Sequence, residues 1–78
     1  MNIEIAAAWR FVETLIRPPY NFEFYLTHQT SGFDVSFQHP GDRGGQAHAK
    51  TVAVAIHRAA RKAMISYQQH EKAAEKER

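Results

Sequence analysis

The fold is decided by the stretch Asn21–His39, NFEFYLTHQTSGFDVSFQH, in which apolar and polar residues alternate. Alternation with a period of two is typical of a β-strand with one buried face. The pattern occurs on both sides of the turn sequence QTSG, where Gly32 is free to adopt a positive φ. The apolar residues of the two runs are Phe22, Phe24 and Leu26, followed by Phe33, Val35 and Phe37.

The register of the two runs agrees with their apolar pattern. If Gln29 is paired with Gly32, Leu26 lies opposite Val35 and both apolar rows fall on the same side. The stretch therefore predicts an antiparallel β-hairpin. Its other side carries acids, hydroxyls and amides, and we expect that side to face water or a partner.

Helices are predicted on both sides of the hairpin. Apolar residues recur at steps of three and four from Ile5 to Ile16, and Pro18 stops this first helix. A long second helix is expected to begin at Gly45 or Gln46. The predicted fold class is α+β with the order αββα, an antiparallel β-hairpin with two helices packed on one face and a long C-terminal helix. The predicted core consists of Trp9, Val12, Ile16, Phe22, Phe24, Leu26, Val35, Phe37, Val52 and Ile56.

Length and composition limit the remaining choices. The chain has 78 residues and no cysteine, which predicts a single domain, residues 1–78, without disulfides or thiolate metal sites. Residues from about 70 to 78 are polar and predict a solvated helical tail. An isolated hairpin leaves two strand edges unpaired, so we expect a homodimer. No run approaches the roughly 20 apolar residues of a membrane span, and we expect a cytoplasmic protein without membrane association.

Basic side chains are concentrated between Arg43 and Lys62. This segment holds five lysines and arginines and no acid, whereas residues 1–42 hold two basic residues against five acidic ones. On a helical wheel, a sector opposite the core stripe combines basic residues with two β-branched apolar ones. We predict a partner-binding surface made of Arg43, Lys50, Val54, His57, Arg58, Arg61, Lys62 and Ile65. Apolar contacts would supply affinity to a protein partner, and the charges would orient it.

The glycine-rich segment His39–Thr51, HPGDRGGQAHAKT, raises the alternative of a phosphate site. A nucleotide-binding P-loop needs its lysine and hydroxyl residue directly after the last glycine, but Lys50 follows Ala49. We therefore expect a connector and no cofactor. Binding of nucleic acid by the same basic surface, with the glycine turn at a phosphate, remains the alternative function.

Neither a metal site nor a catalytic site is expected from the sequence. His48 and His57 are nine residues apart, which places them on opposite faces of one predicted helix, whereas zinc ligands on a helix lie about one turn apart. Ser31 falls in the turn and Ser36 on an exposed strand face, and the acids are scattered along the chain. We therefore expect no enzymatic activity.

Two resemblances to known families involve the second half of the chain. GDRGGQAHAKTVAVAIHRAARKAM is similar to the end of a double-stranded-RNA-binding domain. That family has three strands between its helices, where two are predicted here. Only Lys50 matches its Lys-Lys-x-Ala-Lys helix entry, so no residue role is transferred.

The second resemblance covers most of the chain. SGFDVSF, followed after a short loop by TVAVAIHRAARKAM, resembles small prophage proteins of the "ABA sandwich" type. This resemblance implies a phage accessory protein that acts in the host cell. It would bind and inhibit a host protein, for example a component of antiviral defence, as the anti-CRISPR proteins do.

Overall fold

The computed structural model describes residues 2–39 and 44–76, which form two helices and three strands. The elements are α1 (Asn2–Leu15), β1 (Glu23–Gln29), β2 (Gly32–Gln38), β3 (Gly44–Ala49) and α2 (Val52–Lys76). The strands form one antiparallel sheet in the order β1-β2-β3. The α+β class, the β-hairpin and the long C-terminal helix are confirmed.

The hairpin has the predicted register. Gln29 pairs with Gly32, and Leu26 lies opposite Val35. Gly32 has a φ of 144°, in the region that glycine tolerates best. The two-residue turn and the match between the apolar rows therefore determine this part of the sheet together.

The third strand corrects the predicted start of the second helix. Gly44–Ala49, expected to lie in the helix, is an edge strand paired with β2, so the element order is αβββα. The segment alternates as a strand does: Ala47 and Ala49 are buried, whereas Gln46 and His48 are exposed. Thr51 then starts α2 by accepting a hydrogen bond from the Val54 N–H at 3.4 Å, as an N-terminal cap does.

The close approach of β3 to α2 depends on residues without bulky side chains. A Cβ atom on Gly45 would overlap the backbone of α2 at Ala59 and Ala63. The residues of α2 on this side are alanines that are fully buried. Helix α2 therefore lies directly on the β3 backbone, and α1 packs beside α2.

The core contains half of the residues predicted for it. Val12, Phe22, Val35, Phe37 and Ile56 are buried in one apolar cluster. The predicted core residues Phe24 and Val52 are partly buried and pack against this cluster.

Three predicted core residues are instead exposed. Trp9 is 40% exposed, Ile16 45% and Leu26 41%. The α1 helix turns Ala8, Val12 and Leu15 inward, which leaves Trp9 and Ile16 exposed. Leu26 lies on β1, the edge strand farthest from the strand that α2 covers.

Candidate functional site

A groove of about 530 Å³ lies between α1 and α2. Arg58, Arg61 and Ile65 follow one another along α2 at the spacing of a single helix face. The full lining, called the helix groove below, consists of Phe11, His57, Arg58, Arg61, Met64, Ile65 and Gln68. Apart from the amide of Gln68, the lining is apolar and basic, and it contains no carboxylate among the residues that the structure describes.

Contacts between the helices form one wall of the helix groove. The Phe11 ring of α1 stands edge-on to the His57 ring of α2, with centroids 5.0 Å apart. Phe11 is 36% exposed and Ile65 47%. Large apolar side chains thus remain in contact with water beside two arginines.

The two arginines of the helix groove are available to a partner. Neither Arg58 nor Arg61 makes a hydrogen bond or an ion pair within the described residues 2–39 and 44–76. An arginine presents five N–H donors in a planar fork that fits a carboxylate. The groove can therefore receive an anionic group without breaking an existing pair.

The structure brings most of the predicted surface together in two adjacent places. His57, Arg58, Arg61 and Ile65 line the helix groove. Lys50 and Val54 line a second cavity of about 480 Å³, which Arg58 also borders. Arg58 thus connects the two cavities into one basic and apolar surface along α2.

Two predicted residues do not join this surface. The Lys62 ammonium donates a hydrogen bond to the backbone oxygen of Gln46 in β3 at 3.1 Å, so Lys62 lies on the sheet side of α2. On the helical wheel Lys62 lies at the edge of the predicted sector. This edge is next to the helix positions that face β3, which explains the difference. Arg43 lies outside the described residues.

Sequence reasoning missed several residues of the two cavities, most of them on elements other than α2. Phe11 and Met64 belong to the helix groove, but a helical wheel of α2 alone gives no sign of Phe11. Ser31 and His48 meet beside the second cavity, where Ser31 Oγ lies 3.2 Å from His48 Nε2. The only sign of a strand at His48 is the alternation in GGQAHA, and its small residues make this sign weak.

The uncovered side of the sheet is polar, as expected for this hairpin. The Tyr25 hydroxyl donates a hydrogen bond to Glu23 at 2.8 Å, and this bond, together with the charge of Glu23, raises the pKa of Tyr25. Among the described residues, no group of three or more histidine, aspartate or glutamate side chains could hold a metal ion. None of the helices, over the same residues, has the length and apolar character needed to cross a membrane.

Comparison of the chain with protein-family models, with curated proteins and with solved structures found no match. What the protein binds is therefore inferred from the residues of the helix groove and its surroundings.

Proposed function

We propose that the protein is a non-enzymatic binding protein that holds an acidic segment of a partner protein in the helix groove. The observation that carries the proposal is the pair Arg58 and Arg61, unpaired within the described residues and placed beside exposed apolar side chains. A partner carboxylate would form charge-assisted hydrogen bonds with these guanidinium groups.

The helix groove also offers apolar contacts to a partner protein. Ile65, Phe11 and Met64 provide a surface for one apolar side chain of the partner. Methionine adapts its shape readily, and exposed apolar patches on small proteins often mark interaction sites. The fitting partner segment thus carries an apolar residue flanked by aspartate or glutamate.

The resemblance to small prophage proteins supplies the class of partner. In this proposal, the segment belongs to a host protein, and occupation of that segment inhibits it. Binding alone is sufficient for such an effect, because the bound chain covers the surface that the host protein needs for its own contacts.

Truncation of the groove should release the partner. Ile65→Ala and Arg61→Ala should each weaken binding by about 30-fold or more, since a central interface residue contributes about 2 kcal/mol or more. A pulldown from host lysate, treated with nuclease and probed with each variant, measures this loss. The expected result is one stoichiometric protein retained by the unmodified chain and lost from both variants.

Two control variants match these substitutions. Ile16→Ala removes an isoleucine of similar exposure outside the groove, and Lys62→Ala removes a basic charge that lies on the sheet side of α2. Both controls should retain the partner. Equal loss of the partner from Lys62→Ala and Arg61→Ala would show that net charge alone, without the groove, is responsible.

Nucleic-acid binding is the second candidate, favoured by one observation. With β3, the chain has three strands between its helices, the same number as the double-stranded-RNA-binding domain. Lys50, just before α2, lines the same cavity as Arg58. In this case log affinity should fall linearly with log salt, by roughly 0.9 per phosphate contact on duplex DNA. Lys50→Ala should then weaken binding more than Ile65→Ala does, which is the reverse of the protein-binding result.

We also propose that two copies associate through the free edge of β1. At the other sheet edge, Lys62 donates a hydrogen bond to the Gln46 backbone oxygen of β3 and thereby hinders pairing with another strand. Strand β1 contains no lysine or arginine. Leu26 is exposed on β1, and Trp9 packs edge-on against Phe24 of the same strand at 5.7 Å. Pairing of two β1 strands would form a six-stranded sheet and cover this apolar strip.

Substitution of Leu26 tests the proposed association. Leu26→Arg should convert a dimer at high micromolar concentration into a monomer, because it places a charge at the centre of the strip. Thr27→Arg, on the opposite side of the same strand, serves as the matched control and should remain dimeric. Sedimentation equilibrium measures both, and a monomeric unmodified chain at that concentration would rule out the interface.

A further inference from the structure

A second arrangement of polar side chains lies where the hairpin turn meets the end of β3. His48 Nδ1 lies 3.0 Å from Asp34 Oδ1, and His48 Nε2 lies 3.2 Å from Ser31 Oγ. These three side chains, called the Ser–His–Asp cluster, have the connectivity of a nucleophile, a base and an orienting acid.

Hydrogen bonding fixes the roles of the atoms in this cluster. An ionised carboxylate only accepts hydrogen bonds, so His48 must donate its Nδ1–H to Asp34. In the neutral ring this tautomer leaves a lone pair on Nε2, and this is the form in which His48 accepts a hydrogen bond from the Ser31 hydroxyl, whose Oγ lies 3.2 Å away. Gln29 donates its side-chain N–H to the second oxygen of Asp34, which holds the carboxylate from the other side.

The sheet itself brings the three side chains together. Asp34 and His48 are direct partners in the β2–β3 register. Gly32 allows the hairpin turn to press against the end of β3, because a Cβ there would overlap the carbonyl oxygen of Ala49. Ser31 precedes this glycine and is thereby carried to His48.

A cavity beside Ser31 indicates the kind of molecule that could react. The second cavity, of about 480 Å³, is lined by Ser31 and His48 together with Lys50 and Arg58, and none of its lining residues within 2–39 and 44–76 carries a carboxylate. Two cations next to a nucleophile favour a substrate that carries a negative charge. An ester whose acyl part ends in a carboxylate meets this requirement.

We propose that Ser31 is a nucleophilic serine that accepts an acyl group from such an anionic ester. Ser31 Oγ forms a bond to the acyl carbon, and its proton moves to His48 Nε2. The bond between the acyl carbon and the ester oxygen then breaks, and His48 returns the proton to the departing alcohol. The acyl transfer occurs once per chain and is separate from binding in the helix groove.

The probe that tests this site is the p-nitrophenyl monoester of terephthalic acid, whose rigid para ring keeps the carboxylate away from its own ester. Reaction should release p-nitrophenolate and leave one 4-carboxybenzoyl group, which mass spectrometry of peptides should locate on Ser31. Ser31→Ala should lose the label. His48→Gln should slow the reaction by about 10²-fold, the lower end of what a positioned general base contributes, because the cluster is open to water.

Further variants separate the cluster from ordinary surface reactivity. Ser36→Ala is the matched control, since Ser36 lies on the same sheet face but accepts a hydrogen bond from Gln38 at 3.2 Å. This variant should react as the unmodified chain does. Asp34→Asn, which disturbs the tautomer of His48, should slow the labelling of Ser31, and Lys50→Ala should reduce the preference for the 4-carboxybenzoyl ester over p-nitrophenyl benzoate.

Several results would overturn the proposal. They are a 4-carboxybenzoyl group found only on lysines, equal labelling of Ser36 and Ser31, or an unchanged rate in both His48→Gln and Asp34→Asn. Thermal melting followed by circular dichroism checks that each variant is folded. The two substitutions alter different strands, so if one variant fails to fold, the rate of the other alone decides the question.

Discussion

Replacing Phe37 with alanine should lower the free energy of unfolding by about 3–5 kcal/mol. Phe37 is fully buried on the central strand, and its ring lies 5.3 Å from Phe24 and 6.4 Å from Phe22. Total stabilities of about 5–15 kcal/mol are common, and a domain of this size has little reserve. Chemical denaturation followed by circular dichroism should therefore show a strongly shifted or absent transition.

Trp9→Ala supplies the comparison for this prediction. It also removes a large aromatic ring, but Trp9 is 40% exposed and meets Phe24 only edge-on. The loss of stability should be clearly smaller than for Phe37→Ala. A loss as large as that of Phe37→Ala would mean that α1 is rotated and buries Trp9, as the sequence pattern suggested.

Adding a methyl group at Gly45, in Gly45→Ala, should lower the free energy of unfolding by about 1–3 kcal/mol or more. In Gly45→Ala the new Cβ would overlap the α2 backbone at Ala59 and Ala63, and a backbone cannot move aside as a flexible side chain can. Strand β3 and helix α2 would have to separate. Denaturation measures the loss, and hydrogen exchange of the β3 amides locates it.

The neighbouring residue offers the control for Gly45→Ala. Gln46→Ala alters an exposed side chain on the same strand, and Lys62 bonds only to its backbone oxygen. Its stability should change by less than about 0.5 kcal/mol, as is usual at the surface. If Gly45→Ala is equally harmless, the strand does not lie against α2 as described.

The hairpin could be predicted because two independent requirements agree there. The turn pairs Gln29 with Gly32, and this register alone aligns Leu26 with Val35. A slip of one residue would move every apolar side chain to the wrong face. Local sequence therefore contained the information that determines β1 and β2.

Strand β3 could not be predicted in the same way because its buried positions are small. Gly45, Ala47 and Ala49 alternate correctly, but glycine and alanine give almost no hydrophobic contrast with Gln46. Alanine also favours helices, so the segment looked like the beginning of α2. The strand is favoured by a tertiary contact, because the Gly45 backbone, which has no side chain, packs closely against Ala59 of α2.

The rotation of α1 was ambiguous for a related reason. Apolar residues surround more than half of the helix, so the pattern allowed either Ala8 or Trp9 to point inward. In the structure Ala8 is fully buried together with Leu15, and Trp9 is 40% exposed.

Only the part of the candidate site that lies on α2 could be predicted from the sequence. Arg58, Arg61 and Ile65 could be grouped by their spacing along α2, and they do line one groove. Phe11 enters from α1. His48 could not be connected with Ser31 while it was assigned to a helix, since that contact requires β3.

The length of α2 divides the helix into two parts with different protection from solvent. Its 25 residues extend about 37 Å, whereas a strand of seven residues spans about 23 Å. Tyr67 still contacts Tyr20, with ring centroids 4.8 Å apart, but Gln68, Gln69 and Lys72 are exposed. The amides near Ile56 should exchange with deuterium only when the whole domain unfolds, and those around Lys72 through local opening at far lower free energy. One continuous helix should thus report two separate opening equilibria.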